Sequence, residues 1–596
     1  MNEQILIVLT ILAAVVILLA TELVRIDVTA LICLLALGWS GVLTSTEALG
    51  GFSSHAVIAM MAVMIMGRGI AFTGLMDRFA RAVSVRVGHG ERRIAALLSA
   101  AIGLISGFIQ NIGAAALFLP GVMGLSRRTR IPPSALVMPM GFAAILGGTL
   151  SMVGSGPLIL INDLLQNAGL KPYALFSVTP VGIALLTAGI LYFLILGRLV
   201  LPKRRIDNDS SSAQQKLIEA LHIPNHIRHY AVPSGSPLVG KTSEQSKAWR
   251  EYGVNFLGVS RSRGVQHAPC RSIRFSAGQV VALLGERENI RRFAMDYGLQ
   301  TRRPPAGFAG LGDPVKAGFA EVIVPPRSEI EGHSLREYSL RRRHAVEPIM
   351  LFSRGEEIRG DFSDHQLMTG DTLVVYGLWE KIAKMQESGA FVVATPFSVE
   401  RTNRAKSLAA ATCFLAAVTL ALSGFPISLA FLTGATGMVL TRVLTIQEAY
   451  QSIEWKVVFL LAGLIPLGLA MQKSGAAAFL ADTVMAGIQE MPTVVMLSAI
   501  ALMATLFSLF MSNVGAIVVL APLVIAMGEA GGLDPRPLVL LAAVCAANSF
   551  LLPTHQVNVL LMSAGGYRNS DYLKAGGGMT ILFLLVVVPV FSLFYL

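Results

Sequence analysis

Two asparagines lie in stretches that are otherwise apolar enough to enter a bilayer. Asn111 sits in Phe108-Ile109-Gln110-Asn111-Ile112-Gly113-Ala114, with Pro120 beyond it. Asn513 sits in Phe510-Met511-Ser512-Asn513-Val514-Gly515-Ala516, with Pro522 beyond it, every matched residue 402 positions on. An unpaired amide in hydrocarbon is costly, so polar groups at that depth face a cavity or a partner. A second irregularity follows each phrase: Gly147-Gly148-Thr149-Leu150-Ser151-Met152-Val153-Gly154-Ser155-Gly156-Pro157 in the first half, and Asn548-Ser549-Phe550-Leu551-Leu552-Pro553-Thr554-His555-Gln556-Val557-Asn558 in the second. Glycine, proline and polar residues in mid-membrane break a helix. Freed carbonyls can hold a small cation, and the amino end of a half-helix favours an anion. A hairpin tip beside such a break makes a compact ion site, and the chain has the combination twice. The plainer alternative is that breaks only kink helices and amides only tie helices together. It suits either break alone better than both breaks paired with both phrases.

Other residues invite chemistry less firmly. His555 would be a proton carrier at its ordinary pKa of about 6.5, or a neutral ring bonded to the backbone of the broken helix. Arg68 is either an anion counter-ion inside the membrane or a side chain snorkelling to the surface. Glu454 and Lys456, at the start of a span, read as interfacial. For Lys241 and Arg341–Arg343 the solvated-charge reading stands ahead of an anion or nucleotide site. There is no Gly-x-x-x-x-Gly-Lys-Ser/Thr loop, which argues against an ATP-driven pump, and Gly253–Gly264 holds no Gly-x-Gly-x-x-Gly fingerprint. No catalytic constellation appears, so an enzyme is not expected.

The elements that carry these residues are membrane helices. Of 596 residues, 54% are hydrophobic and 14% charged, and apolar runs of about 20 residues recur. Met1–Leu23 lacks a basic start and a small-residue cleavage site, so it reads as a retained first helix. The net charge of +12 fits arginine-rich cytoplasmic loops, and nucleic acid is not an expected partner. Cys33, Cys270, Cys413 and Cys545 have no ligand spacing and read as free thiols. Spans are expected near 5–23, 28–44, 55–73, 132–161 (interrupted) and 175–200, then 405–423, 427–441, 455–473, 537–563 (interrupted) and 577–595.

Arginines flank the first asparagine segment, 94–126, at both ends: Arg92 and Arg93 before it, Arg127, Arg128 and Arg130 after it. The positive-inside rule puts both ends in the cytoplasm and makes the segment a re-entrant hairpin. Arg78, Arg81, Arg86, Arg198, Lys203, Arg204 and Arg205 agree. The second segment, 493–527, is flanked by Glu490 and Glu529. Leu43, Thr44, Glu47, Ala48, Gly67 and Gly74 return as Leu444, Thr445, Glu448, Ala449, Gly468 and Gly475, all 401 apart. The second half is therefore a copy expected to run upside down, with its hairpin opening outward, both termini outside, and Lys473 and Arg536 as exceptions to the charge rule. Inverted repeats with interrupted helices are the pattern of secondary transporters.

Between the halves, residues 203–404 are polar and rich in short strands such as Val280–Leu284 and Thr372–Tyr376. Val232, Pro233, Ser236, Gly240, Val254, Gly278 and Gly285 recur 92 residues on as Val324, Pro325, Ser328, Gly332, Val346, Gly370 and Gly377. The expected division is a membrane repeat over 1–202, insert copies over 203–304 and 305–404, and a second membrane repeat over 405–596. The fold class is an all-α polytopic membrane transporter with inverted repeats, two re-entrant hairpins and broken helices, plus a cytoplasmic α+β tandem insert.

With these motifs the chain resembles the divalent anion–sodium symporter family of sodium/dicarboxylate and sodium/sulfate transporters. That family has Ser-Asn-Thr-like tips, matched here by Gln110-Asn111-Ile112 and Ser512-Asn513-Val514. The insert copies, with Val232-Pro233, Gly240-Lys241, Gly370-Asp371 and Gly377, resemble TrkA-C-type regulatory domains. The resemblance implies sodium sites at Ser106, Asn111, Gly154 and Ser155, and at Ser508, Asn513, Thr554 and His555. It implies substrate contacts at Gln110, Asn111, Gly113, Ser512, Asn513 and Gly515, an elevator-like movement and a homodimer. It also implies no cofactor beyond sodium as coupling ion, a small regulatory ligand on the insert, and a bacterial inner-membrane location. Ile112 and Val514 replace the hydroxyl that helps hold a carboxylate, and Gln110 replaces a serine. Those departures favour a compact oxyanion such as sulfate over a dicarboxylate, and make the second tip the fuller match. The rival readings are a sodium-independent anion or amino-acid exchanger and a membrane anion sensor.

Overall fold

Thr-x-x-Glu is a helix-start signal, and it occurs at the same place in both halves. Thr44 accepts from the backbone of Glu47 while Glu47 accepts from the backbone of Thr44; Thr445 and Glu448 do the same. A computed structural model of the chain describes residues 3–595 except 22, 74–89, 130, 203–212, 262–263, 303–305, 309, 314–315, 396–403, 486–491 and 554. The flanking charges Arg78, Arg81, Arg86, Arg130, Lys203, Arg204, Arg205 and Glu490, and the candidate ligand Thr554, lie outside the described residues. The chain forms two units, Met1–Asp207 with Arg401–Leu596, and Asn208–Glu400.

In the first unit, one half runs α1 (Glu3–Thr21), α2 (Ile26–Trp39), α3 (Ser45–Leu49), α4 (His55–Phe72), α5 (Glu91–Ser106), α6 (Asn111–Thr129), α7 (Val137–Gly147), α8 (Gly156–Asn167) and α9 (Thr179–Val200). The other runs α10 (Ser407–Leu422), α11 (Ile427–Leu440), α12 (Ile446–Gln451), α13 (Trp455–Ser474), α14 (Ala476–Met485), α15 (Thr493–Phe510), α16 (Asn513–Ala530), α17 (Pro535–Cys545), α18 (Gln556–Gly565) and α19 (Asn569–Phe594). Among the described residues, seven helices are long and apolar enough to cross a membrane. Contacts between helices are reciprocal: α2 packs on α13 as α11 packs on α4, α8 on α16 as α18 on α6, and α9 on its own counterpart α19. Lys473 pairs with Glu47, and Arg536 donates to Lys171 O at 3.0 Å and lies over the Tyr173 ring. Both exceptions to the charge rule thus have partners.

Without a hydrophobic drive between helices in lipid, close approach depends on small residues. A Cβ on Gly147 would stand 2.1 Å from Gly103 O, where α7 crosses α5, and one on Gly576 would stand 1.8 Å from Phe550 O. These contacts hold the hairpin arm and the broken helices together.

In the insert unit, β1 (His226–Ala231), β2 (Asn255–Arg261), β3 (Gly264–His267), β4 (Val280–Gly285) and β5 (Gln300–Thr301) form one sheet in the order β3-β2-β4-β1-β5. The second sheet comprises β6 (Ala317–Ile323), β7 (Glu347–Ser353), β8 (Glu356–Ile358), β9 (Thr372–Leu378) and β10 (Val392–Val393), in the order β10-β6-β9-β7-β8. Read from the opposite edge, it repeats the first strand for strand. Both are antiparallel, and both bulge at the same place, between Phe256 and Gly258 and between Pro348 and Met350. Each copy has its own core, and a third joins the sheets through Leu257, Ala282, Leu284, Ile349, Val374 and Tyr376.

Gly147→Ala should overpack the α5–α7 crossing at a cost of about 1–3 kcal/mol, and lower the melting temperature of the detergent-solubilised chain. Gly124→Ala, with open space around it, is the matched control and should melt as the wild type does. Equal melting of the two variants would contradict the close crossing.

Candidate functional site

Each asparagine phrase forms the turn between two helices that pack on each other, α5 with α6 and α15 with α16. Each following irregular stretch separates two half-helices, α7 from α8 and α17 from α18. Tips and breaks therefore collect four helix amino ends, at Asn111, Gly156, Asn513 and Gln556. Val514 on the second tip reaches the start of α8, its Cγ2 only 2.7 Å from where a Cβ on Gly156 would be. Helix amino ends carry partial positive charge, which suits an anion.

The first tip builds an oxygen cluster. Ser106, at the end of α5, donates to Ala144 O at 2.6 Å and contacts the Asn111 amide at 2.8 Å. The same amide atom lies 3.1 Å from Ala144 O and 3.3 Å from Gly154 O. With nitrogen in that place, Asn111 donates to both carbonyls. With Oδ1 there, Ser106 Oγ, Asn111 Oδ1, Ala144 O and Gly154 O face one another with a single hydroxyl proton among them, an arrangement that a cation would neutralise. Ser106 Oγ, Ala144 O and Gly154 O are hard oxygen donors of the kind that suits a small cation. Gly148 makes room for it, since a Cβ there would stand 2.4 Å from the Asn111 amide. Ser151 donates to Gly107 O across the tip. Ser155, at the start of α8, is buried and its hydroxyl has no partner among the described residues.

The second tip is arranged differently. Ser508 donates within its own helix to Thr505 O at 2.8 Å, and Asn513 accepts from Ser549 Oγ at 2.9 Å. Asn548 donates to Thr505 Oγ1 at 3.2 Å, leaving its buried Oδ1 without a partner among the described residues. Asn558 Nδ2 holds Ser549 O at 3.0 Å, and Tyr572 donates to Asn558 O. Ser512 caps α16 by accepting from Gly515 N at 3.1 Å. His555 caps α18: its Nδ1 accepts from Val557 N at 3.2 Å, which fits the neutral ring better than a proton carrier.

The structure thus joins Ser106, Asn111 and Gly154 directly, with Ser155 next in the chain, whereas Ser508 and Asn513 make separate bonds. Gln110 donates to Met60 Sδ at 2.8 Å, Gly113 lies against Ile109, and Gly515 against Ser512. Arg68 is exposed and stacked over the Phe72 ring at 4.7 Å, as a snorkelling side chain would be. Sequence reasoning placed Ser151, Asn548, Ser549 and Asn558 in the broken stretches without giving them a role, and passed over Ala144. Asn548 and Ser549 lie within the broken stretch and were marked by their polarity alone; nothing in the apolar run around Ala144 signals its carbonyl.

Comparison with known proteins agrees. A family model described as "Citrate transporter" matches residues 16–546 and 493–596. The chain is 29% identical to the "Uncharacterized transporter YfbS" of Escherichia coli (strain K12), over 100% of both chains. It is 28% identical to the "Uncharacterized transporter sll0640" of Synechocystis, over 96% of this chain and 94% of that one. It is 23% identical to "Sodium/sulfate cotransporter 2" of Chlamydomonas reinhardtii, over 56% of this chain and 38% of the relative. The chain belongs to the citrate transporter family and is an integral membrane transporter of anions.

Proposed function

We propose that the protein is a sodium-coupled symporter of a divalent anion, with sulfate favoured over dicarboxylates. The observation that carries this reading is the Ser106–Asn111–Ala144–Gly154 cluster, a cage in which a hydroxyl and two backbone carbonyls lie within 3.3 Å of one side-chain amide. Sodium entering the cage holds the tip against the break. The helix amino ends beside it then gain a neighbouring positive charge, so anion and cation strengthen each other's binding. The sodium/sulfate cotransporter among the relatives supports the ion and the substrate class, and Ile112 and Val514 leave the tips short of the hydroxyls a carboxylate would use. In this reading the two halves are inverted repeats that move elevator-fashion in a homodimer. The protein sits in a bacterial inner membrane with both termini outside, and the insert is a cytoplasmic regulatory domain.

Labelled sulfate should enter proteoliposomes only under an inward sodium gradient, with succinate entering more slowly. Uptake of every tested anion without regard to sodium would sink the coupling. Faster uptake of citrate or succinate under the same gradient would leave coupling standing and overturn the substrate class.

Gly148→Ala should push the Asn111 amide out of the cluster. Sodium at about 100 times its Kd stabilises a single-site protein by about 2.7 kcal/mol, so replacing choline by sodium should raise the wild-type melting temperature. The variant should fold and lose that rise, and Gly124→Ala should keep it. A full sodium response in Gly148→Ala would remove the first cluster from the coupling site.

A further inference from the structure

Between the two copies of the insert lies a cavity of about 470 Å³, within the ~300–1,000 Å³ usual for small-molecule sites. Its walls come from matched segments of both copies, yet the matched residues differ. Trp249 stands 92 positions before Arg341, and Asn255 the same distance before Glu347. In the second copy Arg341 and Glu347 satisfy each other through two bonds of 2.8 and 2.9 Å, both side chains largely buried. Solvated charge is therefore the wrong description of Arg341. In the first copy the same two places present an indole and an amide, and Asn255 Nδ2 is buried with no partner among the described residues. A buried, unused donor marks a missing acceptor.

The charges around the cavity point the same way. Arg271 of the first copy crosses to Asp361 of the second at 2.7 Å, and Arg250 approaches the same carboxylate at 3.8 Å. The hydrogen bond from Arg271 holds the Asp361 carboxyl at about 2, so it stays ionised at physiological pH. Two guanidiniums converging on one carboxylate at a cavity wall form a seat for a carboxylate or phosphate group that an internal anion already occupies.

We propose that this cavity binds a phosphate monoester that carries a flat ring, of mononucleotide size. Its oxyanion replaces Asp361 on Arg271 and Arg250, its ring lies against Trp249, and one of its acceptors takes Asn255 Nδ2. Because Arg271–Asp361 is a bond between copies, occupancy changes how the two sheets are tied.

Isothermal titration of the full chain in detergent tests the proposal with adenosine 5′-monophosphate, adenosine and inorganic phosphate as probes. The monophosphate should bind, with phosphate and adenosine each at least about tenfold weaker. Asp361→Asn, which removes the competing anion, should tighten monophosphate binding severalfold. Arg271→Ala should weaken it about tenfold, the loss expected for one charge-assisted pair. Arg271→Ala also removes a tie between copies, so Arg250→Ala, whose side chain is 75% exposed, is the parallel variant. It should weaken binding at an unchanged melting temperature. The proposal is overturned by failure of the monophosphate to bind the wild type, by wild-type affinity in both arginine variants, by weaker binding in Asp361→Asn, or by phosphate binding as tightly as the monophosphate.

Discussion

The membrane unit depends on one constraint: a broken helix in an apolar interior must find partners for the backbone groups it frees. Around Asn111 the partners are supplied by a serine hydroxyl, a side-chain amide and two carbonyls, all brought within hydrogen-bonding distance by glycines that leave no Cβ in the way. Gly103 and Gly147 set the approach of hairpin arm to broken helix, and Gly148 sets the space for the amide. None of these glycines carries chemistry, but without them the chemistry of Asn111 would have no geometry. An unsatisfied polar group at this depth would cost several kcal/mol, comparable to the binding energy of an ion. The same cluster can therefore hold the fold together and exchange one set of partners for another.

Duplication explains why such a site comes in two versions. Two copies of one hairpin-and-break unit each pack their second half-helix on the other's hairpin. The copies then differ in how they spend their polar groups. The first leaves its asparagine among carbonyls, and the second gives its asparagine to Ser549 and its serine back to its own helix. The insert shows the same behaviour on a smaller scale: strand order and bulge are kept, while Trp249 and Asn255 stand where the other copy has a closed Arg–Glu pair. Repetition preserves the frame because packing is shared; the polar residues on its inner faces are free to diverge.

Much of the frame was legible in the residues because it follows from period and length. Apolar runs marked the helices within a few residues at most ends, Thr44 and Thr445 marked two helix starts, and the strand runs at Val280 and Thr372 lie in β4 and β9. The site was legible only where polar side chains betray it. Asn111 and Gly154 stood out against their surroundings and Ser106 came from the family resemblance, but the carbonyl of Ala144 could not stand out, since a backbone oxygen has no residue type. The second tip illustrates the opposite limit. Ser512-Asn513 matches the family pattern more fully than Gln110-Asn111, yet it is the first tip whose serine and asparagine meet. Side-chain identity sets which bonds can form, and the local turn decides which do: two residues link α15 to α16, four link α5 to α6, and the longer tip lets Asn111 fold back onto the helix before it.

This difference between the tips bears on coupling. At the first tip the Asn111 amide nitrogen donates to Ala144 O at 3.1 Å and Gly154 O at 3.3 Å, so a cation there would have to displace those bonds. Ser106, bonded to Ala144 O at 2.6 Å, would have to turn its hydroxyl as well. At the second tip Ser549 donates to Asn513 and Asn558 holds Ser549 O, while the neighbouring Asn548 already has a buried Oδ1 without a partner among the described residues. Ion affinity at the two tips should therefore differ even though their sequences descend from one unit. Resemblance in residue type therefore does not rank the two tips, because affinity follows from what the free site has left unpaired and not from how many ligand types it holds.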